Sequence, residues 1–308
     1  MKCTRCRARA EVQLRAHNAA FCRPCYLVFF RRQVERAIAA ERMFAPGERL
    51  LVAVSGGKDS LALWDVLIEL GYDPTGLYLG LGIGAYSDQS REKAEAFARG
   101  RGLRLRVVAL EDTAPGLAVP AVAGATRRAP CAACGAMKRH FFDAAALDGG
   151  FEVLATGHNL DDEAARLLGN VLHWQKDYLS RQRPVLLPSH PKFVRKVKPL
   201  YLVSEFETAA YAFMRGIDYQ IDECPNATGA TQLIYKDVLN RLEAESPGTK
   251  LRFVKDFLRT AQPLFAPAAQ EAPHACTRCG MPAYGEVCSF CNLVREVEAK
   301  RARVAGHA

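Results

Sequence analysis

Through the middle of the chain, short unbroken apolar runs alternate with stretches whose apolar positions recur at helical spacing. Arg49-Leu50-Leu51-Val52-Ala53-Val54 runs straight into a glycine turn, as a buried strand does. From Ser60 to Leu70 the apolar positions are 61, 63, 64, 67, 68 and 70, which predicts a helix. Gly76 to Leu79 reads as a second strand, Ser90 to Arg101 as a helix and Leu103 to Ala109 as a third strand. A helix around 136–147, a strand over Glu152 to Thr156 and a helix over 161–172 continue the pattern. This alternation predicts an α/β fold, a doubly wound parallel sheet with helices on both faces. Ligands of such sheets bind beyond the carboxyl ends of the strands.

Around this core the pattern changes. Residues 26–44 carry apolar positions at helical spacing and predict a connecting helix, closed by Pro46-Gly47. Segments 204–215 and 232–260 read as amphipathic helices. Residues 261–275 hold three prolines and little pattern, as a linker does. The expected domains are an N-terminal cysteine module (1–27), a connecting helix (28–46), an α/β domain (47–262), a linker (263–274) and a C-terminal cysteine module with a basic tail (275–308).

With 308 residues, 49% of them hydrophobic, the chain can bury a substantial core. No apolar run approaches the ~18 residues of a membrane helix, and the start has no signal-peptide stretch. The expected location is therefore the cytoplasm, with no membrane partner. A net charge of +9 favours polyanionic partners, because each neutralised phosphate releases counterions. The eleven cysteines fall in three groups: 3, 6, 22 and 25; 131, 134 and 224; and 276, 279, 288 and 291. An odd number with CxxC pairs in a cytosolic chain points to metal or redox sites rather than a disulfide framework.

The strand ending in Ala53 and Val54 leads into Ser55-Gly56-Gly57-Lys58-Asp59-Ser60, which opens a helix. Glycines there let the main chain approach a ligand, and a helix start presents free N–H groups and a positive dipole end to phosphate. The string is not a Walker A loop, since Val52 and Asp59 stand where Gly and Ser/Thr are required. It resembles the PP-loop of the N-type ATP pyrophosphatases, which split ATP between its α and β phosphates and adenylate a carbonyl oxygen. Thr156-Gly157-His158-Asn159-Leu160-Asp161-Asp162-Glu163-Ala164 follows a predicted strand and opens another helix. Its paired acids suit Mg²⁺ or ATP, although acids at a helix start also simply complement the dipole. His158 reads equally as a packed or a catalytic histidine.

Cys131 and Cys134 precede Lys138, and Cys224 lies in Glu223-Cys224-Pro225-Asn226-Ala227. Three readings compete: inert core residues, a redox pair, or three ligands of an iron–sulfur cluster with one open iron. Spacing alone does not separate the last two. In order, the four-ligand N-terminal module, LVAVSGGKDSLALWDVL, CxxCGxxKR, GHNLDDEA, ECPNA and the C-terminal four-cysteine module resemble the TtcA/TtuA family of PP-loop tRNA thiolases, on the side of the tRNA 2-thiouridine synthetases. The resemblance runs from Cys3 to Cys291. It implies an adenine-nucleotide alpha-hydrolase core flanked by zinc modules. It also implies a [4Fe–4S] cluster on Cys131, Cys134 and Cys224, and a catalytic role for Lys138 and Asp162.

The same resemblance implies that ATP lies over Ala53 to Ser60, with Lys58 at the departing pyrophosphate, adenine near Leu79, Gly157 letting the nucleotide approach, Lys138 at phosphate or carbonyl charge, and Asp162 handling Mg²⁺ or a proton. The implied reaction is 2-thiolation of uridine 54 in tRNA. The implied partners are a ubiquitin-like sulfur carrier with a C-terminal thiocarboxylate and a second copy of the chain. Two further readings are a PP-loop thiolase acting on uridine 34 or cytidine 32, and an inactive zinc-module RNA-binding protein.

Cys3-x2-Cys6-x15-Cys22-x2-Cys25 and Cys276-x2-Cys279-x8-Cys288-x2-Cys291 have the spacing of structural four-thiolate zinc sites, hence two Zn²⁺ per chain. Some relatives carry His in place of Cys25, and either residue ligates zinc. The neighbours Lys2, Arg5, Arg7, Arg9, Arg15, Arg23, Arg278, Arg295, Lys300, Arg301 and Arg303 are candidates to grip tRNA phosphates or plain surface charge.

Overall fold

A computed structural model describes residues 1–113, 116–126, 128–227, 229–265 and 272–305. A six-stranded sheet lies at its centre, in the spatial order Leu105–Ala109, Thr75–Gly80, Leu50–Val54, Val153–Thr156, Arg195–Val197, Val185–Leu186. The first five strands are parallel, and the edge strand Val185–Leu186 pairs antiparallel with Arg195–Val197. The sheet is therefore mostly parallel rather than wholly so. These last two strands have two and three residues, too few to show a period.

Alternate residues of the central strand serve the two faces. Leu50, Val52 and Val54 join the large core with Leu61, Trp64 and Phe97, whereas Leu51 packs with Leu77, Leu154, Ala145 and Ala146. Both faces are thus covered, which is why the strand is apolar throughout. From Leu50–Val54 the chain builds outward through Thr75–Gly80 to Leu105–Ala109. It then returns to the other side at Val153–Thr156. The crevice between Leu50–Val54 and Val153–Thr156 is the topological switch point, where ligands of open α/β sheets bind.

Three helix boundaries differ from expectation. The connecting helix is Arg23–Ala40; it ends before Pro46-Gly47 at Arg42, whose φ is 48°. The helix expected around 136–147 is Pro130–Asp148. Pro130 stands in its first turn, where a missing N–H costs nothing, so Cys131 and Cys134 are helical. The C-terminal segment is a helix, Ser289–Ala305, with Leu293 and Val297 buried against Val119, Val122, Met137 and Phe141. The segment expected to be helical over 232–260 is Thr231–Glu245, Thr249–Asp256 and the turn Phe257–Ala261, and in the expected linker Gln262–Leu264 is a helical turn and His274–Ala275 a short strand. Residues 266–271 of it lie outside the described residues. No helix among the described residues is long and apolar enough to cross a membrane.

Candidate active site and metal centres

The loop after Val54 is shaped by its own small residues. Gly57 caps the helix Lys58–Glu69, whose first turn has N–H groups without intrahelical partners. Ser60 Oγ accepts from Ser55 N–H at 3.1 Å and donates to the Gly57 carbonyl at 2.9 Å. The Ser60 hydroxyl therefore braces the loop. Gly56 has φ +79°, and a Cβ there would stand 2.2 Å from the Ser90 carbonyl oxygen; only glycine fits.

The second motif leaves the neighbouring strand at the same end, since Ala53 pairs with Thr156. A Cβ on Gly157 would lie 2.9 Å from Ser60 N, so the two loops touch main chain to main chain. Asn159 joins them. Its amide donates to Asp59 Oδ1 at 3.1 Å, and it forms a reciprocal capping box with Asp162 at the start of Leu160–Leu172. The paired acids part company here. Asp162 faces the loop, while Asp161 is buried, held by Lys250 at 2.5 Å and by the Glu205 N–H at 2.8 Å. His158 is a packed residue: Nδ1 meets Thr156 Oγ1 at 2.8 Å, and burial pushes its pKa down to about 4.

Two residues outside both motifs complete the charge pattern. Lys58 Nζ lies 2.6 Å from Glu205 Oε1 and 3.2 Å from Asp59 Oδ2. Lys236 Nζ lies 2.7 Å from Asp162 Oδ1 and 3.2 Å from Glu205 Oε2. Burial opposes every one of these charges. Even so, the lysines hold Asp162 and Glu205 below the usual carboxylate range, and the carboxylates hold Lys58 and Lys236 above the usual lysine range. Asp59 is the exception: burial, with Asp162 and Glu205 nearby, pushes it up despite Lys58. Glu205 and Lys236 sit in amphipathic helices, Glu205–Arg215 and Thr231–Glu245, and no motif marks them in the sequence.

Cys131 and Cys134 occupy the first turns of Pro130–Asp148, and Cys224 immediately precedes the turn Pro225–Ala227. The Cys131 thiol donates to the Asn226 carbonyl at 3.5 Å. Cys134 lies in the field of Lys138, Cys224 and Cys131; burial pushes its thiol up and Lys138 opposes that. The fold therefore brings the pair and Cys224 to one place, with Lys138 one turn from Cys134. Leu79 is buried beside this group, in the cluster that also takes Ile83, Met137, Cys134 and Cys224.

This cysteine group is tied to the phosphate loop from two sides. The Gln220 N–H donates to the Gly56 carbonyl at 2.9 Å, and Cys224 follows four residues later, a reach of at most about 14 Å. On the helix Gly84–Arg101, Ser90 abuts Gly56 while Tyr86 lies near Cys224 and Cys134.

In each terminal set all four sulfurs lie within 4.8 Å of one another. Among the described residues these are the two sets gathered that closely. Ligands of a cubane bind different irons and stand farther apart than ligands of one ion. In the N-terminal set, Cys3 and Cys6 lie in the turn closed by the Lys2–Arg9 bridge, and Cys22 and Cys25 at the start of Arg23–Ala40, with the hairpin Val12–Leu14/Ala19–Phe21 between them. Its helix docks through Tyr26 OH to the Glu207 carbonyl at 2.6 Å and through Phe30 stacked on Tyr211 at 4.0 Å. The C-terminal set docks through Phe290, stacked on His140 at 3.9 Å. Several of the basic neighbours are engaged within the chain. Arg23 donates to the Met214 carbonyl, Arg278 pairs with Glu298 at 3.2 Å, and Lys300 donates to the Gly124 carbonyl at 2.7 Å. Arg5, Arg7, Arg9 and Arg15 are exposed.

Residues 27–232 match the PP-loop domain family, and residues 2–27 match the 2-thiouridine synthetase TtuA, N-terminal LIM domain. Two relatives are named tRNA-5-methyluridine(54) 2-sulfurtransferase. The one from Thermus thermophilus is 51% identical, with 95% of this chain and 91% of the relative covered; the one from Pyrococcus horikoshii is 42% identical, with 97% and 96% covered. The chain belongs to this family of PP-loop tRNA sulfurtransferases. A solved structure described as the U34-tRNA thiolase NcsA from Methanococcus maripaludis with its [4Fe-4S] cluster shares the family fold. Its TM-score is 0.80, its identity 24%, and 96% of each chain is covered.

Proposed function

We propose that the protein is an ATP-dependent tRNA-5-methyluridine(54) 2-sulfurtransferase, working in the cytoplasm. The observation that carries this is the junction of a PP-loop, at the carboxyl end of Leu50–Val54, with the segment leading to Cys224, through Gln220 and Gly56. ATP lies over Ala53 to Ser60, with adenine at the carboxyl end of Thr75–Gly80 near Leu79 and with Gly157 giving room beside the loop. The uridine C2 carbonyl oxygen attacks the α-phosphorus. The bond to the bridging oxygen breaks, and the electron pair leaves with pyrophosphate. The N–H groups of the loop and Lys58 stabilise that leaving charge. Sulfur at the oxidation level of sulfide, from the carrier's thiocarboxylate or free sulfide, then attacks C2; the C2–O bond breaks and the oxygen leaves on AMP.

The donor sets fit the implied metals. Three thiols with Lys138 alongside suit a [4Fe–4S] cluster, and Asn226 Nδ2 is buried there without a hydrogen-bond partner, an amide free to donate to sulfide. The cluster would supply an iron with an open position for the transferable sulfur. Lys138 stabilises negative charge on the phosphate or on the carbonyl oxygen. Asp59 and Asp162, joined by Asn159, offer the hard oxygens that Mg²⁺ takes. The two four-cysteine sets suit one Zn²⁺ each. This gives domains of 1–27 and 275–308 around a catalytic unit of 47–262, joined by 28–46 and 263–274. The proposed partners are tRNA, a thiocarboxylate-bearing ubiquitin-like sulfur carrier and a second copy of the chain, the last two resting on family resemblance. Lys58→Ala and Asp162→Ala test the reading. Both should abolish thiolation while visible absorbance of the cluster persists; near-normal turnover in either contradicts the assignment.

A further inference from the structure

Glu205 and Lys236 lie in the charge chain without belonging to either motif. The chain runs Asp59, Lys58, Glu205, Lys236, Asp162, with alternating sign and contacts of 3.2, 2.6, 3.2 and 2.7 Å. Each lysine bridges two carboxylates, and Glu205 alone touches both lysines. A lysine aimed at phosphate has to exchange a carboxylate for it. Lys236 is placed for this. Its helix is fixed near Asp162 by Gln232, whose amide donates to the Asp162 carbonyl at 3.2 Å, while its ammonium sits on a flexible four-carbon stem. A divalent cation arriving on Asp162 with the nucleotide would displace the ammonium by like-charge repulsion. The nearest other anions would then be Glu205 and the phosphates.

We propose that Lys236 is a second phosphate-binding cation of this site, and that Glu205 is a positioning residue that holds Lys58 and Lys236 in place between turnovers. The inference rests on the reading that ATP binds at Ser55 to Ser60. A purely structural bridge would stabilise the packing of Thr231–Glu245 on Leu160–Leu172 and leave nucleotide affinity alone. A nucleotide-directed lysine makes a charge-assisted contact whose loss weakens binding on the order of tenfold or more. Glu205 has the opposite sign of effect, since removing it leaves each lysine a single carboxylate, Asp59 or Asp162, and takes one negative charge out of the site.

The test is calorimetric titration of the full chain with Mg²⁺ and α,β-methylene ATP, alongside thermal unfolding. Lys236→Met should raise the Kd about tenfold or more, Lys236→Arg should restore most of the affinity, and Glu205→Gln should keep or lower the Kd. If Lys236→Met does not fold, Lys236→Gln takes its place. Wild-type affinity in the Lys236 variant, or a loss in Glu205→Gln as large as in Lys236→Met, overturns the proposal. No binding by wild type overturns the ATP reading, and this inference with it.

Discussion

The main-chain N–H of Gln220 donates to the carbonyl of Gly56 at 2.9 Å. Gly56 is also pressed against the carbonyl of Ser90. Gln220 lies on the segment leading to Cys224, and Ser90 lies one helical turn after Tyr86, which neighbours Cys224 and Cys134. One glycine of the PP-loop thus ties the loop to both segments that lead to the cysteines. Under the proposed reaction that matters chemically, because adenylation takes the oxygen and sulfur transfer the carbon of one carbonyl group.

Gly56→Ala should therefore damage both halves of the site. A left-handed conformation costs an L residue roughly 1–2 kcal/mol, and the clash with the Ser90 carbonyl forces the loop or the helix Gly84–Arg101 to move. The melting temperature should fall, and affinity for an ATP analogue should drop about tenfold or more. Gly57→Ala is the control. Its Cβ meets only Ser55 Oγ, at 3.5 Å, so unfolding should change by about 1 kcal/mol or less. Equal melting curves for Gly56→Ala and wild type would contradict the packing described.

Removal of one zinc ligand should act through folding. Ser in place of Cys6 or Cys279 leaves a three-thiolate site in a small hairpin module, and metal binding energy there is folding energy. Elemental analysis should show two zinc ions per chain in wild type and one in either variant, with a lower soluble yield. Wild type without zinc would contradict both assignments.

Acid should loosen the C-terminal module. Burial holds His140, stacked on Phe290, at about 4 against an ordinary 6.5. Between these values the unfolded chain binds more protons than the folded one. The contribution of neutral His140 is therefore complete above about pH 6.5 and is lost as pH falls towards 4. His140→Phe keeps a ring against Phe290 and does not titrate. Its denaturation midpoint should fall less than that of wild type between about pH 7.5 and about pH 5. His158 titrates alike in both proteins, so equal falls would contradict the role given to His140.

The glycine loop, the acids that open the helix after Thr156 and the cysteine sets are legible because each is a local string whose chemistry follows from its spacing; the Asn159–Asp162 capping box is a finding of the structure. Glu205 and Lys236 are not legible, because a charged residue on an amphipathic helix looks like any solvated one until the fold brings it to Asp162 from far along the chain. The strands Val185–Leu186 and Arg195–Val197 are too short for a period and lie among prolines and polar residues. The start of the helix at Pro130 was hidden by Gly135, a poor helix former, although Pro130 itself is a start signal. The tail after Cys291 reads as basic, yet Phe290, Leu293, Val294 and Val297 recur at helical spacing and pack with Met137 and its neighbours.

The most direct measurement is nucleoside analysis of transcript-specific tRNA after reaction with the wild-type chain. The protein is reconstituted with iron and sulfide under strictly anaerobic conditions and supplied with ATP and sulfide. The expected result is 2-thiolated 5-methyluridine at position 54, with AMP formed, and its loss on omission of ATP or on Cys131→Ser, Cys134→Ser or Cys224→Ser. Thiolation that survives in air with Cys224→Ser, or sulfur appearing at position 34 or 32 and not at 54, would contradict the account.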